Sequence, residues 1–217
     1  PDHVPVALIV DSPWIPGFAG VGHLEYYVDP ETWFRANLRI AREFPDVIPV
    51  PSWWAEYGMA IEPSALGSRV HFRNDQPPGL SPILATREDI ERLAPVNPES
   101  DGLMPFALQL YHMQKRRILD AGYTIPLVAA RGPLCLASYL RGVTELMMDL
   151  VEDPEWVHRF LEFTTTTVIR WLQAQADVIG KTVEGILVLD DIPGTSAGRA
   201  TGTSFLSRTR RLSNWVW

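Results

Sequence analysis

Short apolar strands alternate with helices along most of the chain, and this alternation constrains the fold more than any other feature. The runs VPVALIV (4–10) and EGILVLDD (184–191) are short and β-branched, and each ends in acidic or turn residues, as expected of buried strands. Between them the tripeptide Asp-Pro-Glu begins two helices, with Asp29 and Asp153 as N-caps and proline at the first helical position. The pattern predicts an α/β fold with right-handed crossovers between parallel strands.

The rest of the chain continues the same alternation. The segments DVIPVPSWW (46–54) and YTIPLVAA (123–130) predict the second and third strands, and MPFALQLYHMQKRRILDAG (104–122) predicts a long helix closed by a glycine. Thr86 is the predicted N-cap of another helix, and SALGSRVHFRNDQPPG (64–79) is typical of a turn followed by an irregular hairpin. The continuous apolar run of the fourth strand indicates burial on both of its faces, as in a parallel sheet.

Charge and cysteine content exclude several classes of function. The formal net charge of −7 argues against a general nucleic-acid binder, which would present a basic face. The single cysteine, Cys135, excludes an internal disulfide and a zinc site built from several cysteines, so no metal ligands are predicted. The sequence begins without a signal-peptide pattern and has no apolar run of about 18 residues, so we expect a soluble, cytoplasmic protein without membrane contact.

The segment TSAGRATGTSFLSRTRRLSNWVW (195–217) differs from everything before it. It is dominated by Ser, Thr, Arg and Gly, contains no Asp or Glu, and holds neither a helical nor a strand period. A domain over residues 1–194 with a poorly ordered tail over 195–217 is therefore predicted.

Three segments of the predicted domain form a distinctive combination: GPLCLASYLRG (132–142), MMDLVEDPEWVHRFLEF (147–163) and GILVLDDIPG (185–194). Together they resemble the uroporphyrinogen decarboxylase family, which includes corrinoid-dependent methyltransferases. The resemblance implies a (β/α)₈ TIM barrel that holds its ligand at the carboxyl ends of the strands. Only about half of the strands of such a barrel fit before Gly194, so residues 1–194 are expected to form roughly its first half, with 195–217 as a non-family tail. This indicates a truncated or frame-shifted product, or a fragment.

The resemblance implies two kinds of chemistry, and the residues do not choose between them. Decarboxylation of a porphyrinogen requires no metal or organic cofactor, whereas corrinoid-linked methyl transfer requires zinc and a corrinoid partner. Cys135 lies outside any His-x-Cys pair and is expected to be a small buried hydrophobe, so no cofactor is predicted for this chain. The expected partner is a small tetrapyrrole or corrinoid ligand. The alternative is a non-catalytic fragment that acts as a binding module or self-associates through an open apolar edge, as a homo-oligomer.

The segment after the third strand supplies the first candidate binding residues. Tyr139 occupies the place where the family keeps a tyrosine facing the substrate, although a core tyrosine is the ordinary alternative. Arg131, at the strand end, has the chemistry to bind a carboxylate, whereas Arg141 is expected to be solvated. Ser138 is a further candidate for the pocket.

Carboxylates after the other strands complete the candidate set. Asp190 and Asp191 end the fourth strand, where one of them faces inward to bind pyrrole N–H groups or transfer a proton; helix capping or a loop salt bridge is the alternative. Glu56 is the carboxylate nearest to the essential aspartate of the decarboxylases, which aligns with Gly58. Asp11 lies after the first strand, where decarboxylases keep an arginine motif. The predicted substrate-binding set is Tyr139, Arg131, Ser138, Asp190, Asp191, Glu56 and Asp11.

Overall fold

Two pairs of parallel strands form the framework of the fold, which a computed structural model describes for residues 4–191. The first strand pairs with the second and the fifth with the sixth, while the third and fourth form a short antiparallel hairpin. The predicted tail over 195–217 lies outside the described residues. The strands are β1 (Val6–Ile9), β2 (Val47–Val50), β3 (Val70–His71), β4 (Gly79–Leu80), β5 (Leu127–Arg131) and β6 (Gly185–Leu189).

Helices occupy the segments between the parallel strands, and their starts follow the predicted capping chemistry. The Asp29 carboxylate accepts the backbone N–H groups of Glu31 and Thr32, and the Asp153 carboxylate accepts that of Trp156 at 3.0 Å. The two Asp-Pro-Glu helix starts are thereby confirmed. The helices are α1 (Ile15–Ala19), α2 (His23–Val28), α3 (Pro30–Glu43), α4 (Ile61–Ala65), α5 (Met104–Asp120), α6 (Pro133–Arg141), α7 (Val143–Glu152) and α8 (Pro154–Ile179).

The predicted order of elements is confirmed, and the differences concern their bounds and one helix type. All four predicted parallel strands form, as β1, β2, β5 and β6, and so does the irregular hairpin. The third predicted strand, β5, begins at Leu127 rather than Tyr123. The segment after Thr86 is a 3-10 helix over Arg87–Arg92 instead of an α-helix. The Thr86 side chain caps it, and the Asp89 carboxylate accepts the backbone N–H of Thr86 at 2.8 Å. The chain is therefore an α/β protein.

The sequence predicts that β1 and β6, the first and fourth predicted strands, are buried. This prediction is wrong. Every residue of β1 is exposed, including Leu8 at 53% and Ile9 at 62% of their surface. In β6, Ile186 and Val188 are each 41% exposed, so its two faces differ. β1 and β6 each pair with one described strand. No described element covers their exposed apolar side chains.

The buried core extends through both halves of the described chain, from Tyr26, Trp33 and Trp53 to β5 and the helices near it. Residues Val128 to Arg131 are all buried, and α8 contacts both this strand and α6. The Gln175 side chain of α8 donates to the carbonyl of Ala129 at 3.0 Å and fixes the helix against the strand. None of the helices within residues 4–191 combines the length and the apolar character needed to cross a membrane.

Candidate functional site

Polar side chains that follow all four parallel strands meet at one end of the molecule. Asp11 and Ser12 follow β1, Glu56 follows β2, and Arg131 is the last residue of β5. The Ser12 backbone N–H donates to the Glu56 carboxylate, and the Arg131 guanidinium lies 3.8 Å from that same carboxylate. Asp190 follows β6 and reaches the first turn of α6, the helix that begins directly after Arg131. Strand ends that are far apart in sequence thus form one polar cluster.

Arg131 lies at the centre of this cluster and is almost completely buried. Its guanidinium is 3.8 Å from Glu56, 3.5 Å from the carbonyl of Gly58 and 5.0 Å from the Trp54 ring, while its Nε has no hydrogen-bond partner in the described structure. Its backbone N–H donates to the Glu62 carboxylate at 2.8 Å. A buried guanidinium with an unpartnered N–H group is suited to binding a carboxylate or another anion.

Glu56 reaches this position because the chain reverses sharply after β2. Ser52 and Trp53 both adopt left-handed backbone conformations, with φ of 67° and 53°. The segment that follows is anchored by the backbone N–H of Ala55, which donates to the Tyr111 hydroxyl at 3.0 Å. Glu56 is consequently 2% exposed, and its Oε2, which faces the Arg131 guanidinium at 3.8 Å, has no hydrogen-bond partner among the described residues.

The surroundings of Glu56 favour its protonated form. Burial is the main cause that raises its pKa to about 8, and the nearby Asp11 carboxylate adds to the rise. The Arg131 charge and the hydrogen bonds from Ser12 act in the opposite direction without cancelling it. At neutral pH the group therefore exists largely as a carboxylic acid, which is able to donate a proton.

A short hydrogen-bonded chain leads away from Glu56. The Tyr27 hydroxyl donates to the Ser12 hydroxyl at 2.8 Å, and Ser12 in turn hydrogen-bonds Glu56. Burial raises the pKa of Tyr27, so the tyrosine remains a hydrogen-bond donor. The sequence analysis missed both Ser12 and Tyr27. The Asp-Ser-Pro that ends the first strand was the one local signal for Ser12.

Glu62 is a further buried carboxylate of the site, and the sequence did not predict it. It is 3% exposed, lies in the first turn of α4, and accepts the backbone N–H of Arg131. Burial raises its pKa, while the bond to Arg131 and the Arg131 charge oppose the rise. The sequence does contain a signal for a buried carboxylate here. Glu62 stands between an isoleucine and a proline in the mainly apolar run AIEPSALG (60–67).

The two aspartates after β6 have different surroundings. Asp190 accepts the backbone N–H groups of Leu134 and Cys135, at 3.2 and 2.7 Å, and so caps the first turn of α6. Burial raises its pKa, and these two bonds lower it. Asp191 is exposed, and its charge acts on the Cys135 and Tyr139 side chains. Asp190 therefore caps a helix, which was the alternative role that the sequence allowed for it.

The remaining candidates lie on α6. Tyr139 is half-buried, and burial raises its pKa to about 12, with the charges of Arg131 and Asp191 acting on it. The Ser138 hydroxyl donates to the carbonyl of Cys135 at 2.7 Å, which gives it a partner inside the helix. Burial raises the pKa of the Cys135 thiol to about 12, so it remains protonated and non-nucleophilic at neutral pH.

Arg141 does not match the prediction that it is solvated. Its guanidinium donates to the buried Asp149 carboxylate at 2.8 Å and to the carbonyls of Leu84 and Ala85 at 3.0 and 2.7 Å. Arg87 reaches the same Asp149 at 2.7 Å. This network joins α6 and α7 to the segment before the 3-10 helix and has a structural role.

The donor set does not fit zinc. Within residues 4–191 no group of three or more His, Cys, Asp or Glu side chains could hold a metal ion.

Comparison with known proteins identifies relatives at the level of sequence. A model of the uroporphyrinogen decarboxylase (URO-D) family matches residues 16–198. The uroporphyrinogen decarboxylase of Cellvibrio japonicus (strain Ueda107) is 28% identical over 120 residues, which are 52% of this chain and 32% of that protein. That of Syntrophotalea carbinolica (strain DSM 2380 / NBRC 103641 / GraBd1) is 32% identical over 120 residues, 52% of this chain and 33% of the relative. The matched region thus spans about a third of these relatives.

A solved structure shares the fold. A methyltransferase from Methanosarcina mazei superposes with a TM-score of 0.74 at 18% identity, over 100% of this chain and 63% of the methyltransferase chain. At this identity the similarity concerns the fold, and it extends over the entire strand-end cluster.

Proposed function

Because the chain belongs to the uroporphyrinogen decarboxylase family, we propose that the cluster around Arg131 and Glu56 is part of a site that decarboxylates a pyrrole-bearing, porphyrinogen-related ligand. We propose further that residues 4–191 form roughly the first half of a (β/α)₈ barrel, with this cluster at the carboxyl ends of its strands. The observation that carries the proposal is the buried pair itself: a guanidinium and a protonated carboxyl group 3.8 Å apart, each with an unpartnered polar atom.

The chemistry of these two groups suits loss of carbon dioxide. Arg131 holds a carboxylate of the ligand, and Glu56 delivers the proton that the product carbon requires. The bond between that carboxylate and its carbon breaks, carbon dioxide leaves, and the electron pair left on the carbon accepts a proton from Glu56. Solvent returns a proton to Glu56, with Ser12 and Tyr27 as the hydrogen-bonded groups nearest to it. Each turnover consumes one proton.

The conformation of Gly58 supports Glu56 as the acid of this region. Gly58 has a φ of +60°, and a Cβ added there would lie 3.1 Å from Pro78 and 3.4 Å from Pro77. An aspartate at this position, where the decarboxylases align their essential residue, would therefore be strained. Glu56, two residues earlier, brings a carboxyl group into the interior without that strain.

Carbon dioxide release from porphyrinogens tests the proposal. The purified chain is incubated in D₂O with a series of porphyrinogens that carry different numbers of carboxylates, and released gas and deuterium in the product are measured. We expect release from at least one member and a loss of about 100-fold or more in the Glu56→Gln variant. Glu162→Gln, an exposed glutamate on α8, is the matched control. Absence of release from every member, or full activity in Glu56→Gln, would contradict the proposal.

Corrinoid-linked methyl transfer is the second reaction that the family allows, and the fold of the Methanosarcina mazei methyltransferase favours it. This reaction would draw on zinc and a corrinoid partner, and residues 4–191 offer no group able to hold the metal. Methyl transfer from methylcobalamin to a thiol, measured with added zinc, distinguishes it from decarboxylation.

A non-catalytic, self-associating module is the third possibility, and a specific surface favours it. An open groove of about 290 Å³ between β1, β2 and the end of α3 is lined by uncharged side chains. It adjoins the exposed face of β1, so a second copy of the chain is the occupant that would bury both. The groove is lined by Leu8, Ile9, Val10, Trp14, Ile40, Phe44, Val47 and Pro49.

Sedimentation at several concentrations tests this module. We expect a dimer that Leu8→Lys converts to monomer, whereas Val151→Lys, at an exposed position on α7, leaves it dimeric. A chain that stays monomeric at all concentrations would argue against self-association.

A further inference from the structure

Glu56 lies on a segment that has little regular structure of its own. Residues 51–60 connect β2 to α4 without forming a helix or a strand. Within this segment, Ser52 and Trp53 have φ of 67° and 53°, in the left-handed region that residues other than glycine rarely adopt. A conformation of this kind persists only where surrounding contacts hold it in place. The position of the Glu56 carboxyl group therefore depends on tertiary contacts to this segment.

Two buried side chains from different helices hold the segment by its backbone. The indole Nε1 of Trp33, on α3, donates to the carbonyl of Trp54 at 3.3 Å. The hydroxyl of Tyr111, on α5, accepts the backbone N–H of Ala55 at 3.0 Å, and both of these residues are completely buried. A buried backbone N–H that loses its acceptor destabilises the conformation that buries it. The contact to Tyr111 therefore fixes the residue that directly precedes Glu56.

Tyr111 acts on Glu56 through the backbone rather than through a charge. Burial raises the pKa of Tyr111, the hydrogen bond from Ala55 opposes the rise and the nearby Glu56 charge adds to it, so the hydroxyl stays neutral. The titratable and charged groups that face Glu56 are Asp11 after β1, Tyr26 and Tyr27 of α2, Tyr111 of α5 and Arg131 of β5. The link from Tyr111 to the carboxyl group is the backbone of Ala55.

We propose that Tyr111 is a positioning residue for Glu56: its hydroxyl, by accepting the backbone N–H of Ala55, keeps the neighbouring carboxyl group in the interior and away from water. Without this acceptor the Ala55 N–H would be buried and unpaired, and the segment would move toward solvent to pair it. Water around Glu56 favours its ionised form, which has no proton to deliver. The consequence for proton delivery rests on the proposed function, whereas the position of the carboxyl group does not.

Titration of Glu56 in the Tyr111→Phe variant tests the proposal, because this change keeps the ring and removes only the hydroxyl. Infrared difference spectra between each protein and the same protein carrying Glu56→Gln isolate the carboxylic-acid band of Glu56, which is followed against pH. We expect a midpoint of about 8 in the unchanged chain, and a midpoint lower by at least about one pH unit in Tyr111→Phe.

Tyr26→Phe is the matched control for this titration. Tyr26 is also completely buried and faces Glu56, but its hydroxyl accepts the Asn37 side-chain amide at 3.2 Å, within α3, instead of the backbone of residues 51–60. Its removal should therefore leave the midpoint of Glu56 nearly unchanged. An unchanged midpoint in Tyr111→Phe, an equal shift in Tyr26→Phe, or a midpoint near 4.5 in the unchanged chain would overturn the proposal.

Amide hydrogen exchange of the unchanged chain keeps the test decisive if Tyr111→Phe fails to fold. The N–H of Ala55 should exchange about as slowly as that of Val168, a buried residue inside α8, because both are hydrogen-bonded in the interior. Exchange at the rate of a solvent-exposed amide would mean that the Tyr111 hydroxyl does not hold this N–H, and the positioning role would be refuted.

Carbon dioxide release from porphyrinogens separates this inference from the proposed function. Near pH 7.5 we expect kcat of Tyr111→Phe to fall about threefold or more with little change in KM, and to recover near pH 6.5, where Glu56 regains its proton. A loss that low pH does not restore would count against the positioning role. If no porphyrinogen releases carbon dioxide, the proposed function fails while the titration still decides the role of Tyr111. Release that depends on Glu56, together with an unchanged titration in Tyr111→Phe, would have the opposite meaning.

Discussion

The two parallel strand pairs are similar in sequence and topology but differ in their surroundings. In β5, four of the five residues are buried, and α8 packs on the strand. In β1, a strand of comparable apolar character, all four residues are exposed. Apolar sequence makes a strand suitable for burial, but the elements packed on it decide whether burial occurs.

Charged contacts show the same contrast. Near β5 and α6, Asp149 is 2% exposed and binds two arginines. On α3, the Arg39–Glu43 pair has both side chains nearly half exposed. β5 and the contacts around it should therefore contribute more to stability than β1, whose own side chains are exposed.

The largest expected effect comes from placing a charge on each strand in turn. Val128→Asp puts an unpaired carboxylate into a site that is 1% exposed, so we expect a loss of more than about 4 kcal/mol in the free energy of unfolding. Val6→Asp, at a side chain 48% exposed, should cost less than about 1 kcal/mol. Urea unfolding measures both, and equal losses would refute the contrast between the strands.

Removal of the buried carboxylate of the ion network should have the next largest effect. Asp149→Ala leaves the Arg141 guanidinium, 10% exposed, without its partner, and should cost about 3–4 kcal/mol. Glu43→Ala breaks an exposed pair and should cost about 0.5 kcal/mol. Thermal unfolding of the two variants gives the comparison. A small effect of Asp149→Ala would mean that the network contributes little to the stability around β5.

The smallest effect, counted per pH unit, concerns Glu56, which links the two strand pairs through Ser12 and Arg131. Burial raises its pKa to about 8 from 4.5, so the folded chain binds this proton more tightly than the unfolded chain. The resulting stabilisation is complete below pH 4.5 and is lost as the pH rises through about 8. Glu56→Gln should therefore gain stability relative to the unchanged chain as the pH rises, by up to about 1.4 kcal/mol per pH unit. Urea midpoints at several pH values check this, and a constant difference would contradict it.

Prediction from sequence succeeded where the signal is local. Asp29 and Asp153 were assigned as N-caps because an aspartate and the N–H groups it accepts lie within three residues. The positions of Arg131 and Glu56 near the ends of predicted strands also followed from the local sequence, because short apolar runs define the strands. The environment of Arg141 was predicted wrongly because the Leu84 and Ala85 carbonyls that it binds are more than fifty residues away.

Which residues form the site was only partly predictable, because many of their contacts join residues that are distant in the sequence. Glu62 meets Arg131 across 69 positions and Ser12 meets Glu56 across 44, and no short-range pattern encodes either contact. Asp190 was assigned by position alone, whereas its hydrogen bonds to the backbone of Leu134 and Cys135 depend on how α6 and β6 come together.

The sequence by itself determined the alternation of strands and helices, the capping of two helices and the residues that stand at strand ends, because these depend on neighbouring residues. Only the tertiary structure decided that β5 is buried while β1 is exposed, and that burial raises the pKa of Glu56 beside Arg131. Burial and pKa depend on how much water and how many charges surround a side chain, and those are set by elements distant in the sequence.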